Sequence, residues 1–223
     1  MHLQKSKKSI IYFFLLIMFG SINNINLRNS EINKIKSINV NGLENKENLI
    51  ILNQIKNLKL DNIFFLNSIK IKRVLEANPL VEKYNVFKNY PSSLKIQIVK
   101  TNSLAKTNID GNIFVIGSNG KLSDNYFEND KLPFIFGKPD IDDFLDFKKI
   151  FDKSKFQYKH VENLYFFPSK RWDIQFKNNK VLKLPEKFTV VILDHLFELV
   201  KNKNLENIKI FDARIKNQII LNE

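Results

Sequence analysis

The sequence predicts an α+β protein: an N-terminal apolar segment, a small βααββ domain, and a larger, mostly antiparallel β domain with helices. Three observations lead there. In Ser93–Lys100, Leu94, Ile96 and Ile98 alternate with Ser93, Lys95 and Gln97, the period-2 signature of a half-buried strand. Two stretches ahead of it repeat apolar residues at helical spacing. Beyond Asn102 the pattern turns to short strands separated by turn residues.

The apolar segment comes first. Lys5, Lys7 and Lys8 precede the run Ile10–Phe19, and no acidic residue occurs before Glu31. Ile10 to Ile22 as a helix rises only ~20 Å, short of the ~30 Å hydrocarbon core, and extension to Leu27 gives ~26 Å at the cost of Asn23, Asn24 and Asn26 near the far interface. Cleavage after Gly20 or Ser21 would leave Met18 or Phe19 at the −3 position, where a signal peptide needs a small residue. An uncleaved anchor is therefore preferred to a cleaved signal. The basic flank places the N-terminus inside and the remainder outside. The segments expected are a tail at 1–9, an anchor at 10–27, a connector at 28–34, and domains at 35–101 and 102–223.

In the first domain "IKSINVNG" reads as a strand with Ile38 and Val40 on one face and Gly42 closing it. "NKENLIILNQIKNL" places Leu49, Leu52 and Ile55, together with Ile51 and Leu58, at helical spacing. "LNSIKIKRVLEANPLV" gives a second helix with Ile71, Val74 and Leu75 inward, ending before Pro79. The strands Val81–Asn89 and Ser93–Lys100 then form a hairpin about "NYPSS". One sheet covered by two helices follows.

In the second domain "GNIFVIGSNGKLS" reads as strand, turn and strand, and "KLPFIFGKP" as a loop bounded by Pro and Gly. "DIDDFLDFKKIFDKS" is a short helix. "YKHVENLYFF", "RWDIQFK" and "KVLKLP" are three successive strands. "PEKFTVVILDHLFELVKNK" reads as the longest helix, opened by Pro185 and closed by Lys201 and Lys203. "NIKIFDARIKNQIILNE" supplies the closing strands.

Composition excludes more than it suggests. The absence of cysteine removes disulfides, thiolate metal sites and CxxC redox chemistry. The net charge of +13 is carried mostly by lysine, the arginines being Arg28, Arg73, Arg171 and Arg214. In a chain rich throughout in Lys, Asn, Ile and Phe, that charge reads as a solvated surface, not a nucleic-acid footprint. His2, His160 and His195 are isolated and form no metal pair. Asp140, Asp142, Asp143 and Asp146 lie at a helix start, where carboxylates complement the dipole, and lack the glycine turn and terminal Glu of a calcium loop. No nucleophile elbow or phosphate loop occurs. The expectation is no catalysis, no cofactor, no metal and no small-molecule substrate. The alternative, a secreted or periplasmic binding protein, requires the cleaved signal.

The order of parts resembles the FtsQ/DivIB family of bacterial cell-division proteins. "INVNGLENKENL" through "LEANPLVEKYNVFKNYPSSLKIQIVK" is similar to a POTRA domain: a strand ending V-x-G, two helices, then the Y-P turn and L-x-I-x-I. "LPFIFG", "RWDIQFKNNKVLKLP" and "IFDARIKNQIIL" resemble successive motifs of that family's second domain. Departures are Lys100 and Ser103, where the family carries an acid and a proline, and Asn178–Asn179, where it carries a turn glycine. Asn tolerates the same left-handed conformation.

The terminal stretch Asn217–Leu221 is apolar with no following segment to pair with, so it reads as an open sheet edge, a liability unless a partner strand covers it. The resemblance implies the same. It places the chain in the inner membrane at the division septum, with both domains in the periplasm. It also implies a last strand that binds FtsB, itself associated with FtsL, and a POTRA domain that contacts other division proteins. The residues so marked are Arg171, Arg214, Ile215, Asn217, Ile219 and Leu221. Arg171 and Arg214 could each hold a partner carboxylate bidentately, and Arg214 could equally pair internally with Asp212.

Overall fold

The computed structural model describes residues 7–22, 34–124 and 131–223. Most of the expected tail and connector, and residues 23–27 of the expected anchor, lie outside them. Helix α1 (Lys7–Ile22) carries exposed apolar side chains from Ile10 to Phe19. Its 16 residues give ~24 Å, and among the described residues no helix is long and apolar enough to cross a membrane.

The chain divides into two units, Met1–Lys100 and Thr101–Glu223. In the first, β1 (Ser37–Asn41), α2 (Asn45–Lys56), α3 (Ser68–Ala77), β2 (Val81–Asn89) and β3 (Ser93–Lys100) form a three-stranded sheet in the order β1-β3-β2. β3 is central, parallel to β1 and antiparallel to β2. Its buried Leu94, Ile96 and Ile98 meet Ile51 and Ile55 of α2 and Ile71 and Leu75 of α3. Asn67 caps α3 by accepting from the Ile69 N–H, and Pro79 follows the extended Asn78.

Leu49 departs from expectation, being 56% exposed. Leu49–Leu52 is apolar four residues running, which covers a full helical turn, and only the Ile51–Ile55 stripe can face the sheet. Asn48 braces the preceding turn, donating to the Leu43 carbonyl at 2.8 Å and accepting from the Leu43 N–H at 3.2 Å.

The second unit is one sheet whose described strands run β12-β11-β10-β9-β8-β7-β4-β5-β6. In chain order these are β4 (Ser103–Ile109), β5 (Asn112–Gly117), β6 (Leu122–Ser123), β7 (Phe134–Phe136), β8 (Val161–Phe166), β9 (Trp172–Phe176), β10 (Val181–Lys183), β11 (Ile210–Asp212) and β12 (Ile220–Asn222). Pairing is mostly antiparallel; β4–β7, β7–β8 and β10–β11 are parallel. Helices α4 (Ile141–Phe151) and α5 (Val190–Lys201) bury Phe144, Phe147, Phe151, Leu193 and Leu196 in one cluster with Trp172, Ile174, Leu182 and Phe211. Asn179 adopts φ 63° in the β9–β10 turn, the left-handed position expected there.

Two expectations are corrected. "KLPFIFGKP" is not only a loop, because β7 sits inside it, between β4 and β8 in the middle of the sheet. Three residues between Pro133 and Gly137 are too few to show alternation, and the strand is fixed by parallel partners distant in sequence. The last long helix begins at Val190, not at Pro185, and is shorter than α1. Upstream of it Leu184 donates its N–H to the Trp172 carbonyl at 3.0 Å, and Phe188 is buried against Phe147. Tertiary contacts thus hold that segment out of the helix.

Candidate functional site

The site is built from the β12 end of the large sheet. On the face opposite the helices, registers align Tyr165, Asp173, Lys183, Asp212 and Ile220 across β8 to β12. Period-2 alternation explains this row, since Leu164, Ile174, Leu182 and Phe211 take the buried face. Opposite charges neighbour one another along it.

Asp212 and Arg214 form the tightest pair. The Arg214 Nε donates to both Asp212 carboxylate oxygens at 2.8 and 2.9 Å, and the Arg214 backbone N–H donates to Oδ1 at 3.1 Å. These bonds hold the Asp212 carboxyl below its ordinary range, against the opposing effect of burial. Asp173 behaves oppositely: burial raises its pKa despite Lys183, Arg214 and Arg171 nearby. Its Oδ1 is buried with no hydrogen-bond partner among the described residues.

Asp212→Asn is expected to cost about 1 kcal/mol near pH 7, Arg214 being solvated and relief of repulsion at Asp173 offsetting part of the loss. Because the folded pKa lies below 3.8, this stabilisation is complete above the ordinary value and disappears as pH falls through the folded one. Parent and variant should therefore differ in urea midpoint at neutral pH and converge in strong acid. An equal difference at both would remove the ion pair as its cause.

Beyond Asp212 the chain leaves β11 with Ala213 anchored by its N–H to the Lys183 carbonyl at 2.9 Å. It turns at Asn217, whose φ is 62°, and returns as β12. Arg214, Ile215, Asn217 and Ile219 line one groove of about 950 Å³, with Pro185, Lys187 and His195 on the opposite wall. Ile215 and Ile219 are exposed there, and Ile220, which does not line the groove, is exposed on β12 beside Asp212. β12 is the last strand of its sheet, and no described strand lies along its outer side.

The expected residues therefore separate. Arg214, Ile215, Asn217 and Ile219 share the groove. Leu221 faces inward opposite Phe211 and packs on the core. Arg171 lies just before β9, its guanidinium 5.4 Å from the Phe167 ring centroid, and does not line the groove. The strand covers Ile220–Asn222 instead of Asn217–Leu221, because Asn217 is spent on the turn. Pro185, Lys187 and His195 were not marked by sequence: a helix drawn from Pro185 conceals the non-helical wall ahead of Val190. Among the described residues no cluster of acidic, His or Cys side chains could hold a metal.

The family described as "POTRA domain, FtsQ-type" matches residues 33–100. Cell division protein FtsQ of Bradyrhizobium diazoefficiens is 24% identical over 164 residues, covering 72% of this chain but only 48%, about half, of that relative's length. Cell division protein FtsQ of Rickettsia typhi is 23% identical over 190 residues, 83% of this chain and 71% of its own. The extracytoplasmic domain of the division protein DivIB from Geobacillus stearothermophilus aligns over 43% of this chain and 84% of its own, with 11% identity and a TM-score of 0.31. The chain thus carries an FtsQ-type POTRA domain at residues 33–100 and is similar to bacterial cell-division proteins named FtsQ over most of its length.

Proposed function

We propose that the chain is a non-catalytic, single-pass scaffold of the bacterial division machinery, with residues 10–27 anchoring it in the inner membrane. Its N-terminus is cytoplasmic, and the domains at 35–101 and 102–223 stand in the periplasm at the septum. The POTRA domain contacts other division membrane proteins. The β12 edge accepts an extended segment of FtsB, carried with FtsL. The observation that carries this reading is an edge strand with exposed Ile215, Ile219 and Ile220 at or beside it and a groove alongside, in a chain similar to cell-division proteins. A strand added along β12 would gain main-chain hydrogen bonds of ~0.5–1.5 kcal/mol each, with the groove selecting side chains. Arg214 retains solvent access while held by Asp212, so it presents a pre-oriented guanidinium to an acidic partner.

Ile220→Lys tests this. The side chain lies on the outer face while Leu221 holds the strand, so the fold should survive. A lysine on an edge strand disfavours addition of another strand. Affinity for the periplasmic segment of FtsB should fall at least about tenfold with an unchanged melting temperature. Undiminished binding by the folded variant would displace the partner from this edge.

A further inference from the structure

The first unit carries a second exposed apolar patch that the β12 proposal does not use. Phe64, Phe65 and Ile69, from the α2–α3 loop and the start of α3, are exposed, as is Tyr90 in the β2–β3 turn. Phe64 and Tyr90 stack with ring centroids 4.8 Å apart, joining the two loops into one surface. The loop beneath is anchored: Asn62 and Ile63 are buried, and Asn62 Oδ1 accepts from the Phe64 N–H at 2.9 Å. The rings are therefore held outward.

This end of the unit is also where the chain arrives from α1. Lys34 bridges Asn62, the Ile35 N–H donates to the Asp61 carbonyl at 3.0 Å, and the Lys36 N–H donates to the Ser92 carbonyl at 2.8 Å. The arriving segment thus runs between the two loops that carry the patch. Residues 23–33 reach no further than roughly 40 Å even fully extended, so the patch lies within that tether of the end of the apolar helix. Exposed Lys34, Lys36 and Lys59 flank it, and Asp61 is the acidic residue in the loop 58–67.

We infer that Phe64, Phe65, Ile69 and Tyr90 form a lipid-facing foot that rests this domain on the headgroup region of the membrane in which the chain is anchored. Tyrosine and phenylalanine bury an apolar body at a polar boundary, and lysines reach anionic headgroups. The tether turns that contact into an intramolecular event, so a weak interfacial preference is enough. The inference rests on the anchored reading of residues 10–27.

The chain has no cysteine, so single-cysteine variants report one position each. The full chain carrying Ile69→Cys, or Lys83→Cys at the opposite end of β2, would be labelled with an environment-sensitive fluorophore and reconstituted into phosphatidylethanolamine–phosphatidylglycerol vesicles containing a shallow spin-labelled lipid. Quenching at position 69 should exceed that at 83 by about threefold, and adding Phe64→Ser and Tyr90→Ser should abolish the excess. Equal quenching in a chain that resists alkaline extraction overturns the foot and leaves the anchor standing. Release of the chain by alkaline extraction overturns the anchored reading and the foot with it.

Discussion

Replacing Gly42 by alanine is expected to destabilise the first unit by about 4 kcal/mol or more, placing it among the most damaging single substitutions. Gly42 ends β1 at φ 116°, a conformation that L side chains rarely adopt. A Cβ there would stand 1.8 Å from the Ile98 carbonyl oxygen and 2.7 Å from its carbon. Both are backbone atoms of β3, the central strand, whose Ile96 and Ile98 are packed under both helices. The strand cannot retreat without opening that core. Gly111, at φ 87° with open space around it, is the internal control: alanine there should cost only about 1–2 kcal/mol of backbone strain. Urea unfolding reads each, with hydrogen exchange followed at Ile96 and Ile98 for Gly42→Ala and at Ala105 and Ile116, in the other unit, for Gly111→Ala. A Gly42→Ala midpoint no lower than that of Gly111→Ala would show the close approach to be relaxed in solution.

Much of the first unit is legible in sequence because its signals are local. Leu94, Ile96 and Ile98 alternate, Asn67 and Pro79 bracket α3, and Gly42 stands where the chain must pass close under β3. Leu49 shows the limit, since four consecutive apolar residues do not say which stripe meets the sheet. In the second unit the illegible parts are those fixed by distant partners. β4 has Ala105 and Thr107 as buried residues, too small or too polar to announce a strand, and β7 has no room for a period. The Pro185–Thr189 segment has helix-start chemistry but is held out of the helix by the contacts of Leu184 and Phe188.

The candidate site divides the same way. An apolar terminal strand at an edge can be read from Ile219, Ile220 and Leu221, because nothing but β11 is needed to place it. The groove cannot, because its opposite wall depends on where α5 begins. The role of Arg214 cannot either: one arginine two residues from an aspartate is compatible with both an internal pair and a partner contact. The structure supplies the internal pair, bidentate through Nε and Nη2, with part of the guanidinium still facing solvent.

Phe147→Ala is expected to cost about 3–5 kcal/mol and to loosen the groove at the same time. Phe147 is 2% exposed and meets Trp172 at 4.7 Å, Phe151 at 5.8 Å and Phe188 at 5.8 Å between ring centroids. Removing it leaves a cavity bounded by stiff rings that cannot collapse into it, which puts the cost at the upper end for such a change. Phe188 follows Pro185, Glu186 and Lys187, the residues that wall the groove opposite Ile215. Phe188 is the side chain that pins this wall to the core, so its partner's loss should reach the site without touching a groove residue. Hydrogen exchange at 186–189 should accelerate by more than the fall in global stability requires, while Phe147→Leu keeps most of the contact and costs only about 1–1.5 kcal/mol. If exchange at 186–189 rises only in step with the global change, the wall is held by its own contacts and the aromatic cluster serves the fold alone.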